Sequence, residues 1–242
     1  MIVEEMGSSF VNLEELKKIQ EELAKSVDLK DKVNLNDLEY IIGVDQSFSG
    51  DIVISGSVLL NFKSLKVIKS EISIDKVKFP YIPTFLMFRE GEPAVNSVKK
   101  VLKHVKEKHI EKTVIMVDGS GIAHPRRCGL ATFIALKTGV PSIGITKKRL
   151  YGKVVEPTKE YETTPILDEV SNDLIGYAFK PCKICKPIYI SPGSFISTNT
   201  ALEIVKKCMR GYKLPEPIRL AHDIVTSYKK KIKHTGQMKL DF

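Results

Sequence analysis

Apolar positions along the chain switch between a helical period and a period of two, and the switches mark its elements. In NLEELKKIQEELAKSV, Leu13, Leu16, Ile19, Leu23 and Val27 recur at helical spacing, and Asn12 with Glu15 fits an N-terminal capping box. This spacing predicts a peripheral amphipathic helix. YIIGVD leads into DIVISGSVLLNF, where Ile52, Ile54, Val58, Leu60 and Phe62 alternate with smaller or polar neighbours, and VIKSEISI keeps the same period. Three strands joined by short turns predict an antiparallel meander. Beyond Pro80 and Pro83 the helical period returns, with Val95, Val98, Val101, Leu102 and Val105 on one face and lysines on the other. Such a helix suits the face of a sheet.

TVIMVDG then reads as a continuous apolar strand, CGLATFIALKTG as a helix ending at Gly139, and PSIGIT as another buried strand. That is a βαβ unit with parallel strands. LIGYAFK and PIYISPG are further strand candidates, and helices follow around TNTALEIVKKC and EPIRLAHDIVTSYKKK. Hairpins, a helix, and then parallel strands alternating with helices describe an α/β fold, a mixed β-sheet flanked by helices on both faces. The order is that of the ribonuclease H-like fold. We expect one catalytic domain over residues 1–232 and a flexible tail over 233–242, the basic stretch after Tyr228 being the candidate for disorder.

Composition adds a partner class. Lys and Arg number 38 against 29 for Asp and Glu, a net charge of +9 and a pI near 9.2, which favours a polyanionic partner, nucleic acid first. A solvated lysine surface is the plain alternative. The chain has no apolar run near the roughly 20 residues of a membrane span, and MIVEEMGSS lacks the regions of a signal peptide, so a cytoplasmic protein is expected. Cys128, Cys182, Cys185 and Cys208 are too few and too unevenly spaced for a secreted disulfide framework. Cys182 and Cys185 form a CxxC, but no second pair follows to complete a zinc site, leaving a local disulfide or two ordinary thiols.

The chemistry is carried by acids. Asp45 in YIIGVD, Glu90 in PYIPTFLMFRE and Asp118 in TVIMVDGSGIAHPRR each close an apolar run, where an unpaired carboxylate is costly unless a divalent cation neutralises it. Taken singly each has a bland reading: Asp45 as a turn former at the end of its strand, Glu90 as a first-turn carboxylate favoured by the helix dipole, His124 as a satisfied structural histidine. Asp118 ends a parallel strand at its carboxyl end, where α/β sheets place ligands, and Gly119 and Gly121 let backbone amides approach a base or phosphate. Converging on one sheet edge, the three acids would hold cations that activate water and stabilise a leaving oxygen.

PYIPTFLMFREG, VDGSGIAHPRRCGLA, PSIGITKKRLYG, and SPGSFISTNTALE followed by LPEPIRLAHD resemble, in this order, the motifs of the endonuclease V family, and the resemblance spans most of the chain. It implies a repair endonuclease that recognises deoxyinosine in DNA and hydrolyses the second phosphodiester 3′ to the lesion, with Mg2+ as cofactor and Mn2+ as a substitute. Inosine-containing RNA is the closest rival substrate, and a non-catalytic nucleic-acid-binding protein the rival class. Carried over by position, Asp45, Glu90 and Asp118 resemble the metal carboxylates, His124 and Lys147 the further catalytic residues, and Tyr81 the wedge of PYIP. Pro83, Leu86, Gly119, Gly121, Gly129, Leu130, Arg126 and Lys148 fall at substrate-binding positions. The chain departs from the pattern at Thr84, where Gly is usual after PYIP, at Lys148, where a small residue is usual, and at His222, where many relatives have Asp; Asp223 is adjacent. The terminal QMKLDF resembles a shortened sliding-clamp-binding peptide with Gln237, Leu240 and Phe242 as anchors, and a monomer is expected.

Overall fold

The computed structural model describes residues 12–235, without the side chains of 233–235; QMKLDF lies outside the described residues. The meander forms as expected: β1 (Tyr40–Ser49), β2 (Ile52–Asn61) and β3 (Val67–Lys76) pair antiparallel. After α2 (Leu86–Leu102), β4 (Thr113–Asp118), α3 (Leu130–Thr138) and β5 (Ser142–Thr146) build the βαβ unit, with β4 parallel to both β1 and β5. The helix α3 stops at Gly139, whose φ of 72° supplies the left-handed cap. β6 (Thr163–Leu167), β7 (Leu174–Phe179) and β8 (Ile188–Ser194) extend the sheet antiparallel, giving the order β3-β2-β1-β4-β5-β8-β7-β6.

Alternation along the central strands divides the core between the two faces of the sheet. Ile41, Val58, Val114 and Met116 pack with α4 (Thr198–Lys207) and α5 (Glu216–Thr235), whereas Ile42, Leu59, Ile115 and Val117 pack with α2 and α3. Helices thus cover both faces. The position of α5 is set by a missing side chain: a Cβ on Gly43 would fall 1.9 Å from the Pro217 carbonyl oxygen, so the start of α5 can press onto β1 only over a glycine. This contact brings His222, one turn and a half further along α5, to the level of Asp45.

Four expectations need correction. β1 does not end at Asp45 but continues to Ser49 against β2, because the hairpin pairing outlasts the parallel pairing with β4. Glu90 is the fifth residue of α2, in its second turn, so the helix dipole does not explain it. Strand β6, with Pro165 in its middle, lacked a strand signal; proline is tolerated there because β6 is an edge strand. The basic stretch after Tyr228 continues α5 to Thr235. Cys182 and Cys185 form a disulfide in the β7–β8 connection. Among the described residues no helix is long and apolar enough to cross a membrane.

Gly43→Ala should push α5 away from β1, and overpacking of this kind costs about 1–3 kcal/mol. A melting temperature lowered by several degrees is expected, and an unchanged one would show that α5 does not depend on this contact.

Candidate active site

The parallel pairing of β1 with β4 ends at Val44 opposite Val117, and the next residue on each strand is an acid. Asp45 and Asp118 therefore stand side by side where the two strands part, both with the alternation of the α5 face. Asp45 is 6% exposed; its Oδ1 accepts the Gln46 N–H at 2.8 Å and its Oδ2 lies 2.8 Å from His222 Nδ1. Asp118 Oδ2 accepts from Lys147 Nζ at 2.6 Å, the lysine being the first residue after β5. Glu90 comes over the sheet end from α2, is buried, and receives no hydrogen bond among the described residues.

Burial and mutual repulsion dominate the electrostatics. Burial, with a smaller opposing pull from Arg89 and added repulsion from Asp45 and Asp118, lifts the Glu90 pKa to about 8. Asp45 rises to about 6, mainly by burial and then by the Asp118 charge, although His222 and the Gln46 N–H work against the shift. Burial disfavours the Lys147 ammonium, but Asp118 outweighs it and the net effect holds the lysine pKa above its usual value.

Three oxygen-donor acids that repel one another suit a hard divalent cation. As they stand, Asp118 is engaged by Lys147 and Asp45 by His222, and no three His, Cys, Asp or Glu side chains among the described residues already close around one point. The donor chemistry fits; Asp45, Glu90 and Asp118 are the residues that would hold the metal.

Beside the acids opens a cleft of about 500 Å³. It is lined by Leu86, Asp118, Gly119, His124, Gly129 and Leu130, by Tyr81 and Pro83, and by the basic run Lys147, Lys148 and Arg149. Tyr81 is 68% exposed. His124 is buried and its pKa falls to about 4 through burial; its Nε2 lies 2.9 Å from the Thr84 carbonyl oxygen and its Nδ1 accepts the Arg126 N–H. This is a neutral histidine with both ring nitrogens used inside the protein.

Other expected residues are placed differently. Gly121 packs its backbone against Pro192 and Ser191 and does not line the cleft. The Gly119 N–H donates to Ile145 O and the Gly121 N–H to Ser191 Oγ, so neither amide is available to read a base. Between them the Ser120 N–H makes no hydrogen bond among the described residues, and Ser120 lines the cleft. Arg126 is not among the residues lining the cleft and donates to two that are, Gln20 and Thr84. Asp223 is held by Arg219 at 2.8 Å, so it is His222 that meets Asp45. Sequence reasoning missed Gln20, fully buried on α1 (Leu13–Ala24), which makes that helix more than peripheral. Its signal was present: a polar residue inside the stripe defined by Leu16 and Leu23.

Acids gathered where parallel strands part, beside a basic cleft, place the chain among nucleases of ribonuclease H-like architecture. It belongs to the endonuclease V family, whose model matches residues 21–223. The chain is 54% identical over 229 residues to the endonuclease V of Archaeoglobus fulgidus, covering 95% of this chain and 99% of that one. Its fold superposes on human ENDOV with a TM-score of 0.80 at 26% identity, covering 92% of this chain and 100% of that one. With the Ciona intestinalis endonuclease V, crystallised with a 24mer DNA containing an inosine followed by a ribo-adenosine, the TM-score is 0.78 at 28% identity, covering 91% and 98%. Members of the family are metal-dependent endonucleases.

A raised acid pKa has a stability consequence with a definite sign. With Glu90 at about 8 when folded and an ordinary carboxylate when unfolded, the folded protein binds the extra proton between these values. The chelator-treated protein should therefore lose stability, on the order of a few kcal/mol, as pH rises toward and through about 8. Denaturant melts at pH 6 and pH 8.5 check this. Glu90→Gln should flatten the difference, and an equal pH dependence in that variant would place its source elsewhere.

Proposed function

We propose that this protein is a divalent-cation-dependent endonuclease that acts on DNA at deoxyinosine and hydrolyses the second phosphodiester bond 3′ to it, leaving 3′-hydroxyl and 5′-phosphate ends. One observation carries the reading: Asp118, whose charge acts on the neighbouring Asp45 and Glu90, lines a cleft together with an exposed Tyr81 and three consecutive basic residues. The inosine-containing DNA held by the Ciona relative supports the choice of lesion.

In this reading Lys147, Lys148 and Arg149 draw the backbone along the rim, and phosphate contacts of this kind make binding salt-dependent. Tyr81 fills the gap left by the extruded base, which the weak pairing of inosine makes cheaper to flip. Leu86 and Leu130 offer the base apolar walls, and the free Ser120 amide offers it a donor. A divalent cation such as Mg2+, or Mn2+ in its place, would supply an activated water and charge stabilisation of the leaving oxygen when bound there. Asp45, Glu90 and Asp118 would hold that cation, with Glu90 losing the proton that burial favours, and Lys147, which pairs with Asp118, would offer its ammonium to the phosphate. Residues 1–232 act as one catalytic domain, as a monomer. The ribo-adenosine in the Ciona complex keeps a second reading in view, cleavage of inosine-containing RNA.

Asp118→Asn should abolish magnesium-dependent nicking, by at least about three orders of magnitude given the size of such electrostatic contributions, while retaining inosine-DNA binding. Nicking at the wild-type rate would remove the assigned site. Tyr81→Ala loses a stacking platform worth ~1–3 kcal/mol, so inosine-DNA affinity should fall by roughly one to two orders of magnitude at constant salt with little change in melting temperature. A large melting drop with unchanged affinity would make the ring structural. Parallel assays on inosine in DNA and in RNA at matched salt decide between the two substrates.

A further inference from the structure

Residues 79–85 form the loop that carries Tyr81, exposed at Pro80, Tyr81 and Pro83 between two anchors. At one end Arg89 Nη1 donates to the Phe79 carbonyl at 2.9 Å while its guanidinium lies over the Phe48 ring. At the other end Ile82 accepts the Phe85 N–H, closing a turn with Pro83 and Thr84 at its centre. Proline first and a positive φ second is the pattern of a type II turn, whose second central position calls for glycine. Here it is Thr84, at φ 71°. A β-branched residue is strained in the left-handed region, and it stays there only when its surroundings over-determine it.

The surroundings do so at a single atom. The Thr84 carbonyl oxygen meets Gln20 Nε2 at 3.0 Å, His124 Nε2 at 2.9 Å and Arg126 Nη2 at 3.0 Å. Arg126 Nη2 also reaches Thr84 Oγ1 at 2.7 Å, a bond that glycine could not make. The donors are themselves fixed: Gln20 Oε1 accepts from Arg126 Nε at 2.7 Å, Gln20 Nε2 also donates to Cys128 O, and the Arg126 guanidinium stacks on Phe85. Gln20 and His124 are both buried. Two segments far apart in sequence, α1 and the connection from β4 to α3, therefore converge on one backbone carbonyl of the loop.

We propose that Gln20, His124 and Arg126 are positioning residues that clamp the loop through Thr84, holding Tyr81 out over the cleft before any nucleic acid arrives. Its value for binding rests on the wedge reading of Tyr81 given above; the clamp itself does not. Thr84 strengthens the clamp by adding its hydroxyl as a further acceptor, in return for backbone strain. Preorganising the loop removes an ordering cost at the moment of binding.

The chain contains no tryptophan, so Tyr81→Trp creates a sole fluorescent reporter at the loop tip. Time-resolved anisotropy of that protein should follow overall tumbling, and adding Gln20→Met or Arg126→Met should introduce a fast, local depolarisation. Thr84→Gly, which leaves the three carbonyl contacts in place, guards against a variant that fails to fold and should raise mobility in the same direction. Folded variants with no added local motion at position 81 would overturn the proposal. Inosine-DNA affinity of Gln20→Met, measured with Tyr81 present, should fall roughly five- to twentyfold, and adding the change to Tyr81→Ala should cost nothing further. Increased mobility with unchanged affinity would uphold the clamp and count against the wedge, so the two ideas fail separately.

Discussion

Two buried carboxylates, Asp45 and Glu90, beside the half-buried Asp118 are the constraint on which this structure turns. Apolar packing places Asp45 and Asp118 together, since β1 and β4 are locked in register by Ile41, Ile42, Val44 and their partners, and the acids are simply the next residues. Burial and repulsion then raise Asp45 to about 6 and Glu90 to about 8, so at neutral pH the site holds a proton that a cation would displace. The neighbours share the load: His222 reaches Asp45 because α5 rests on Gly43, and Lys147 reaches Asp118 because β5 ends beside it. A metal-dependent endonuclease is a natural consequence of such a centre, for the charge that folding disfavours is the charge that catalysis needs.

The cleft uses a different principle. The acids stand at the end of a rigid sheet, whereas Tyr81 stands on a loop, and loops deliver precision only if anchored. Here Arg89 and the group around Thr84 supply the anchors from opposite ends. His124 is part of that support: both its ring nitrogens are satisfied, and burial keeps it neutral, so its contribution comes through geometry.

Much of this was legible in the sequence. Period-two alternation gave the meander, the continuous apolar runs gave β4 and β5, and Asp45, Glu90 and Asp118 were identified because each ended an apolar run. What escaped was non-local. Nothing near Asp45 says that its strand continues, since that depends on which neighbour stops pairing first. The Gly119 and Gly121 amides looked free until Ile145 and Ser191 were seen to take them. Gln20 was passed over because helical periodicity weighs apolar positions and ignores a polar residue among them. Thr84 stood out as a departure from a motif, but its left-handed backbone and its three donors are properties of the tertiary structure.

We propose that Asp45, Glu90 and Asp118 form one cation site, held partly protonated at Glu90 by the fold. Calorimetric titration of the chelator-stripped protein with Mn2+ at pH 7, repeated in buffers of different ionisation enthalpy, tests it directly. Because Glu90 sits at about 8 before the metal binds, about one proton should leave per cation bound, and Glu90→Gln should remove that release. Binding with no proton release, or binding undiminished in Asp118→Asn, would contradict the account.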